Sequence, residues 1–318
     1  MKILVCGVTG FMGKNIYDYF KALGFDVWGC ARRGTLSLVQ NDSHIVLVDL
    51  TDEGSVNRLF LNLQPDVVIQ AAATTSGSKD ILTKPYIHVT DNAVMNSLLL
   101  RACHDHNVKH FLFLSCCVMY QPGDVPRKES DFNPAEPLYK SYFGVGWTKI
   151  YIEKMCEFYS RLGRVKCTVI RHSNTYGPYD KYDLEHSHVF GATIRKVMEA
   201  TDKLVVWGKG EEARDLLYVT DVVRAIDILI KQQTEPFELV NVSYGSAIRI
   251  KDLVNEIVAS SGKTLEITHD LSAPSIPTVL AVDHSYMTQK YGWVPEVSIS
   301  EGIRLTLDWY NKNVDIRK

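Results

Sequence analysis

Ile3-Leu4-Val5-Cys6-Gly7-Val8-Thr9-Gly10-Phe11-Met12-Gly13 decides the fold. Four apolar residues read as a buried strand, three glycines follow, and a helical pattern takes over across about 15–23. Strand, glycine turn and helix in that order form the setting in which a backbone closes on a pyrophosphate. The glycines admit close approach, and the helix N-terminus offers free amides and the positive end of its dipole. Gly7, Thr9, Gly10, Phe11, Met12 and Gly13 are therefore expected to hold a dinucleotide.

Outward from this stretch, apolar runs at 27–30, 44–48, 66–70, 111–114 and 167–170 alternate with helical patterns at 55–63, 92–106 and 146–160. That alternation predicts an α/β fold: a doubly wound parallel sheet with helices on both faces and right-handed crossovers. Ligands of such sheets gather at the carboxyl ends of the strands, so the residues after Cys6, Cys30, Ile69, Leu114 and Ile170 carry the functional search. Beyond Asn174 the pattern loosens into loops rich in Tyr, Asp and His, then a helix near 189–200. The expected division is a dinucleotide-binding domain over 1–172 with about 213–245, and a smaller substrate-binding lobe over 173–212 with about 246–318.

The chain of 318 residues is 46% hydrophobic and 23% charged, with a formal net charge of -2. Such a balance offers no broad basic surface, which argues against nucleic acid as a partner. No run reaches the roughly 18 apolar residues of a membrane span, and Met1-Lys2 lead straight into the first strand, leaving no room for a signal peptide. The seven cysteines, Cys6, Cys30, Cys103, Cys116, Cys117, Cys156 and Cys167, lie mostly in apolar runs. They read as reduced thiols, so a cytoplasmic protein is expected. No metal site is expected.

The second strand ends Gly29-Cys30-Ala31-Arg32-Arg33. An NAD site prefers an acid there for the ribose hydroxyls, whereas arginine suits a 2′-phosphate. Arg32 and Arg33 thus favour NADP, with NAD the alternative. Asp49 and Leu50, after the third strand, are placed over the adenine. Ala71, Ala72 and Ala73 would let the cofactor lie against backbone.

Oxidoreductases with this N-terminus commonly carry Tyr-x-x-x-Lys, which puts a phenol and an ammonium one helical turn apart. The ammonium lowers the phenol pKa and the phenol passes a proton while the nicotinamide passes a hydride. Here the segment reads Tyr142-Phe143-Gly144-Val145-Gly146-Trp147-Thr148-Lys149. Lys149 stands, but Val145 occupies the place of the phenol. Three readings follow: an enzyme using another donor (Tyr142, Cys116, His188 or water), a non-catalytic dinucleotide and nucleotide-sugar binder acting as regulator or scaffold, or an inactivating replacement at Val145.

These residues resemble the extended short-chain dehydrogenase/reductase family, which acts on nucleotide sugars, and within it the GDP-fucose synthase branch. The resemblance runs nearly the whole length. It includes Asp91-Asn92, Phe111-Leu112-Phe113-Leu114-Ser115-Cys116-Cys117, Cys156-Glu157-Phe158-Tyr159-Ser160-Arg161 and Ser173-Asn174-Thr175-Tyr176-Gly177-Pro178. It continues through Ser187-His188-Val189, Val206-Trp207-Gly208, Arg214-Asp215-Leu216-Leu217-Tyr218-Val219 and Tyr291-Gly292-Trp293. By resemblance, Ser115 or Cys116 hydrogen-bonds the reacting sugar oxygen. Cys117 and His188 serve as base and acid for epimerisation beside a C4 ketone. Asn92, Lys149 and His172 join the cofactor site. Asn174, Val189, Lys196, Trp207 and Arg214 hold the nucleotide sugar, a GDP-sugar in preference. The resemblance also implies a homodimer through the helices at 92–106 and 146–160, the first carrying Val94, Leu98 and Leu99 at near-helical spacing.

Overall fold

In the computed structural model, which describes residues 1–32, 42–75, 78–273 and 275–314, the glycine-rich stretch sits at the centre of the main sheet. Its strands are β1 (Lys2–Cys6), β2 (Asp26–Ala31), β3 (Ile45–Leu47), β4 (Val67–Gln70), β5 (His110–Leu114), β6 (Lys166–His172) and β10 (Phe237–Val242). They run in the order β10-β6-β5-β4-β1-β2-β3, every neighbouring pair parallel. The chain leaves β1 toward β3, then returns to β4 on the opposite side of β1. The crevice at the carboxyl ends of β1 and β4 is thus the switch point where such sheets bind ligands.

Alternation along the strands explains why both faces are covered. Ile3 and Val5 face one core with Ile16 and Phe20 of α1 (Phe11–Ala22) and Val222 and Ile226 of α7 (Val219–Gln232). Leu4 and Cys6 face the other core. There they meet Phe60 of α2 (Glu53–Leu63), Leu99 of α4 (Thr90–Asp105) and Ile152 of α5 (Phe143–Arg161). A strand buried on both sides needs an unbroken apolar run, which is the pattern that made these strands readable.

The second lobe is built on a different sheet. Its β9 (Ala213–Tyr218) pairs with β7 (Asn174–Tyr176), β11 (Ala247–Arg249) and β13 (Val279–Leu280). A separate parallel pair joins β8 (Lys203–Trp207) to β12 (Glu266–Asp270). Phe190 and Ile194 of α6 (Val189–Glu199), Leu253 and Ile257 of α8 (Ile250–Ser261) and Ile303 and Leu307 of α10 (Ile299–Asn313) fill its core. Two short helices complete the chain, α3 (Ser78–Thr83) after β4 and α9 (Ser285–Tyr291) near the end. The seven thiols are all free, and among the described residues no helix is long and apolar enough to cross a membrane.

Candidate active site in the interlobe cleft

The turn after β1 is shaped for close approach. Gly7 holds φ 81°, a left-handed backbone that glycine adopts without strain, and a Cβ there would meet the Ala72 Cα at 2.7 Å. Its amide and that of Val8 donate to the Cys30 carbonyl at 2.9 and 3.3 Å. Gly10 caps α1 without any side-chain bond, and the first turn holds no acid, so its amides remain for an anion. Thr9, Phe11 and Met12 flank this turn half-buried. A cradle that a methyl group would fill, opening on free helix amides, fits a dinucleotide pyrophosphate.

The other residues assigned to the cofactor from sequence lie along the same strand ends. Asn92 is fully engaged with the backbone. Its amide oxygen accepts from the Thr74 amide at 3.0 Å, and its nitrogen donates to the Thr74 and His88 carbonyls at 2.9 Å each. It fixes the path of the chain past Ala71, Ala72 and Ala73. Leu50 is buried beside Val48 and Val56. Asp49 accepts from the Thr51 amide and hydroxyl at 2.9 and 2.7 Å. Those bonds, helped by the Arg32 charge, hold it below the usual carboxylate range. Arg32 is exposed at the carboxyl end of β2, and Arg33 lies outside the described residues.

Lys149 ends at the carboxyl end of β5. Its ammonium donates to the Leu114 carbonyl at 2.8 Å and lies 4.6 Å from the Phe113 ring centroid. Burial lowers its pKa, while the neighbouring Cys116 and Glu153 favour the charge. Ser115 is fully buried, and its hydroxyl donates to Glu153 at 2.6 Å. That bond turns it away from the cleft and leaves the half-exposed Cys116 as the first polar side chain after β5 beside Lys149. Burial raises the Cys116 thiol pKa and Lys149 opposes the rise. Cys117 packs with Met119, Tyr120 and Leu138, and burial pushes its thiol well up, so it is a poor base. His172, at the end of β6, binds the Ser173 carbonyl through Nδ1 at 2.8 Å. Burial ahead of the Lys149 charge pushes its imidazole down to about 4.

One buried network was invisible as chemistry in the sequence. Arg171, on β6, and Glu153, one turn beyond Lys149 on α5, form an ion pair at 2.6 Å with side chains 4% and 3% exposed. Arg171 also donates to the Tyr120 hydroxyl at 2.9 Å, and that hydroxyl donates to Asn241 at 2.8 Å. The signal was a charged residue closing an otherwise apolar strand, and an acid four residues after Lys149.

The second lobe brings Asn174, His188, Val189, Lys196, Trp207 and Arg214 to the wall of one cleft, with Tyr142 opposite on the first lobe. At one end the Lys196 ammonium lies 4.7 Å over the Trp207 ring and donates to the Val205 carbonyl. Arg214 is oriented by the carbonyls of Ala213, Ile276 and Thr278. At the other end His188 caps α6 with its ring open to the cleft. The crowding of the cleft, ahead of the Lys181 and His88 charges, lowers its pKa and keeps it neutral. Tyr142 closes a 3₁₀ turn, Lys140–Tyr142, and caps α5 rather than lying on its face. Its phenol has no hydrogen-bond partner among the described residues.

Sequence reasoning missed what ties the lobes together. Asn15 donates to the Pro178 carbonyl at 2.9 Å, Lys181 to the Thr75 carbonyl at 2.6 Å, and the Lys14 ammonium lies 5.1 Å over the Tyr179 ring. The segment after β7 therefore straps across the crevice from α1 to the end of β4.

A pyrophosphate cradle at the switch point, a lysine at the end of β5 and a cationic and aromatic cleft under a second lobe define a class of dinucleotide-dependent enzymes. The chain belongs to the NAD dependent epimerase/dehydratase family, whose model matches residues 3–243. GDP-L-fucose synthase 1 of Arabidopsis thaliana is 30% identical to it, over 98% of this chain and 94% of that protein. GDP-mannose 3,5-epimerase of the same plant is 24% identical, over 100% of this chain and 84% of that one. The crystal structure of UDP-glucose 4-epimerase from Thermotoga maritima with UDP-glucose matches with a TM-score of 0.83 at 25% identity, covering 99% of this chain and 100% of that one. The family expected from the sequence and its doubly wound sheet are thus confirmed.

Proposed function

We propose that this enzyme transfers hydride at C4 of a sugar carried on a nucleoside diphosphate, GDP in preference, with NADP as the favoured cofactor and NAD the alternative. The observation that carries the reading is the cleft lined by His188, Lys196, Trp207 and Arg214 of the second lobe and by Tyr142 of the first, with Cys116 near Tyr142 and itself in the field of Lys149. A base stacks on indole, and two cations suit a diphosphate. Binding energy from that remote end would hold C4 against the nicotinamide, which supplies or accepts the hydride when bound. With Ser115 bonded to Glu153, Cys116 beside Lys149 is the group we assign to the sugar oxygen. His188 stands on the cleft wall, so proton transfer at a carbon beside the ketone, and with it epimerisation next to C4, belongs to the same reading. Named relatives are GDP-sugar synthases and epimerases, and none speaks for a non-catalytic scaffold. Val94, Tyr151 and Phe158, exposed on α4 and α5, fit a homodimer through those helices. Free thiols fit a cytoplasmic setting.

The test is a panel of GDP- and UDP-linked 4-keto and 4-hydroxy sugars, followed by the near-ultraviolet absorbance of reduced nicotinamide and by sugar product analysis. Turnover with GDP-sugars is the expected result. Cofactor binding with neither signal across the panel would refute the reading.

Cofactor choice gives a separate prediction. Arg32→Ala with Arg33→Ala is expected to weaken NADPH binding at least about tenfold, the loss of a charge-assisted phosphate contact, while NADH binding barely changes. Equal losses for both would remove the NADP assignment. At Val145, restoring a phenol is expected to lower turnover. Its neighbours Gly144 and Gly146 depart from the commoner helix sequence and are closely packed, a Cβ at either meeting Val89 at 3.1 Å or Leu138 at 2.7 Å, which fits a reshaped site rather than one lost residue. A gain of about 10²-fold or more in Val145→Tyr would show instead that the site awaits its tyrosine.

A further inference from the structure

Among the described residues, Tyr142 is the phenol that reaches this cleft without a protein partner for its hydroxyl. The other candidates each have a reason to fail as proton donor to the sugar oxygen. Ser115 is spent on Glu153, Cys117 is packed in a hydrophobic cluster, and His188 is held neutral. A thiol such as Cys116 is a weak hydrogen-bond donor. Tyr142 leaves α5 before its first regular turn, and that irregular start brings its ring to the wall shared with Asn174, His188 and Arg214.

We infer that Tyr142 supplies the proton-transferring phenol that Val145 cannot, so that the acid has moved from the face of α5 to its N-cap. The inference rests on the hydride-transfer reading and names the donor within it. Held by the glycine turn after β1, the reduced nicotinamide cofactor would supply hydride to the carbonyl carbon, and the C=O π pair would move onto oxygen. The Tyr142 O–H bond breaks, its proton joins that oxygen, and the phenolate regains a proton from water in the cleft. Electrons and protons then balance as ketone plus reduced cofactor plus one proton giving alcohol plus oxidised cofactor. The electrostatics agree with an acid working in this direction. Burial raises the Tyr142 pKa and keeps the phenol protonated, while Arg214 offsets part of the rise and steadies the phenolate left after transfer. Arg214 thus stands between the nucleotide end of the cleft, where it serves the diphosphate, and Tyr142, on which its charge acts.

Two measurements on Tyr142→Phe test this. Reduction of a GDP-4-keto sugar should lose about 10²–10⁴-fold in kcat, the worth of general acid help, with KM raised no more than about tenfold and NADPH affinity little changed. Binding by calorimetry needs no turnover. A GDP-sugar bearing the C4 oxygen should bind the variant about two- to tenfold more weakly than it binds the wild type, the loss of one hydrogen bond. Its 4-deoxy analogue should bind both proteins alike. A kcat within about threefold of the wild type, or equal affinity losses for both ligands, overturns the role of Tyr142. A wild type that turns over nothing yet shows the selective loss with the C4 oxygen keeps the Tyr142 contact and defeats the hydride-transfer reading instead.

Discussion

Glu153→Ala is expected to lower the unfolding free energy by about 3–5 kcal/mol, the cost of stranding one member of a buried ion pair. Arg171 would keep its charge at a side-chain exposure of 4% with its bidentate partner gone. The Tyr120 hydroxyl and the Glu129 carbonyl that remain on its guanidinium do not neutralise it. The Ser115 hydroxyl would lose its acceptor in the same stroke. Urea denaturation of the dinucleotide-loaded protein measures the loss. The companion experiment separates charge from volume: Glu153→Leu with Arg171→Met removes both charges, and its stability should lie close to the wild type or above it. A single variant within about 1 kcal/mol of the wild type would mean that water reaches Arg171, and the network would lose its structural importance. Activity in the double variant is expected to fall even where stability does not. Ser115, freed from Glu153, no longer fixes the turn that presents Cys116 beside Lys149.

This network marks the boundary of what the sequence could say. Strands covered on both faces announce themselves as unbroken apolar runs, so β1, β4, β5 and β6 were legible, and with them the switch point. The smaller sheet was not. Its strands β7 and β11 are three residues each, half-buried or exposed in places, and too short for any period to stand out from a loop. Chemistry followed the same division. Residues assigned by motif to the sugar nucleotide, from Asn174 to Arg214, meet in one cleft across 40 positions of sequence. Side-chain direction was not legible, since a motif fixes position along a strand or loop but not the rotamer. Leu50 turns into the core and Ser115 onto Glu153. Contacts that cross between lobes, such as Lys181 to Thr75, have no sequence signal: the two residues are 106 apart and belong to loops with no pattern of their own.

The remaining large effect separates stability from function at one residue. Lys149→Met is expected to reduce kcat/KM at least about a hundredfold, because a buried cation at the carboxyl end of β5 is worth most where water is excluded. Methionine keeps the length of the side chain and its packing on Phe113, and removes the charge and the donor. Stability should move the other way. The Lys149 pKa is lowered in the folded protein, chiefly by burial, so the fold disfavours its charged form. Below the folded pKa that penalty is present in full. It fades as pH rises from the folded value toward the unfolded one. At neutral pH, therefore, methionine removes a cost, and the thermal midpoint should equal or exceed that of the wild type, with the gain shrinking in alkaline buffer. A residue kept at the expense of stability is the signature of a functional site. The measurement is paired: thermal unfolding across pH and kcat/KM on the same preparations. A midpoint that drops at neutral pH would make Lys149 a structural support through its bond to Leu114. Unchanged turnover would remove it from the reaction and, with it, the hydride-transfer reading of the cleft.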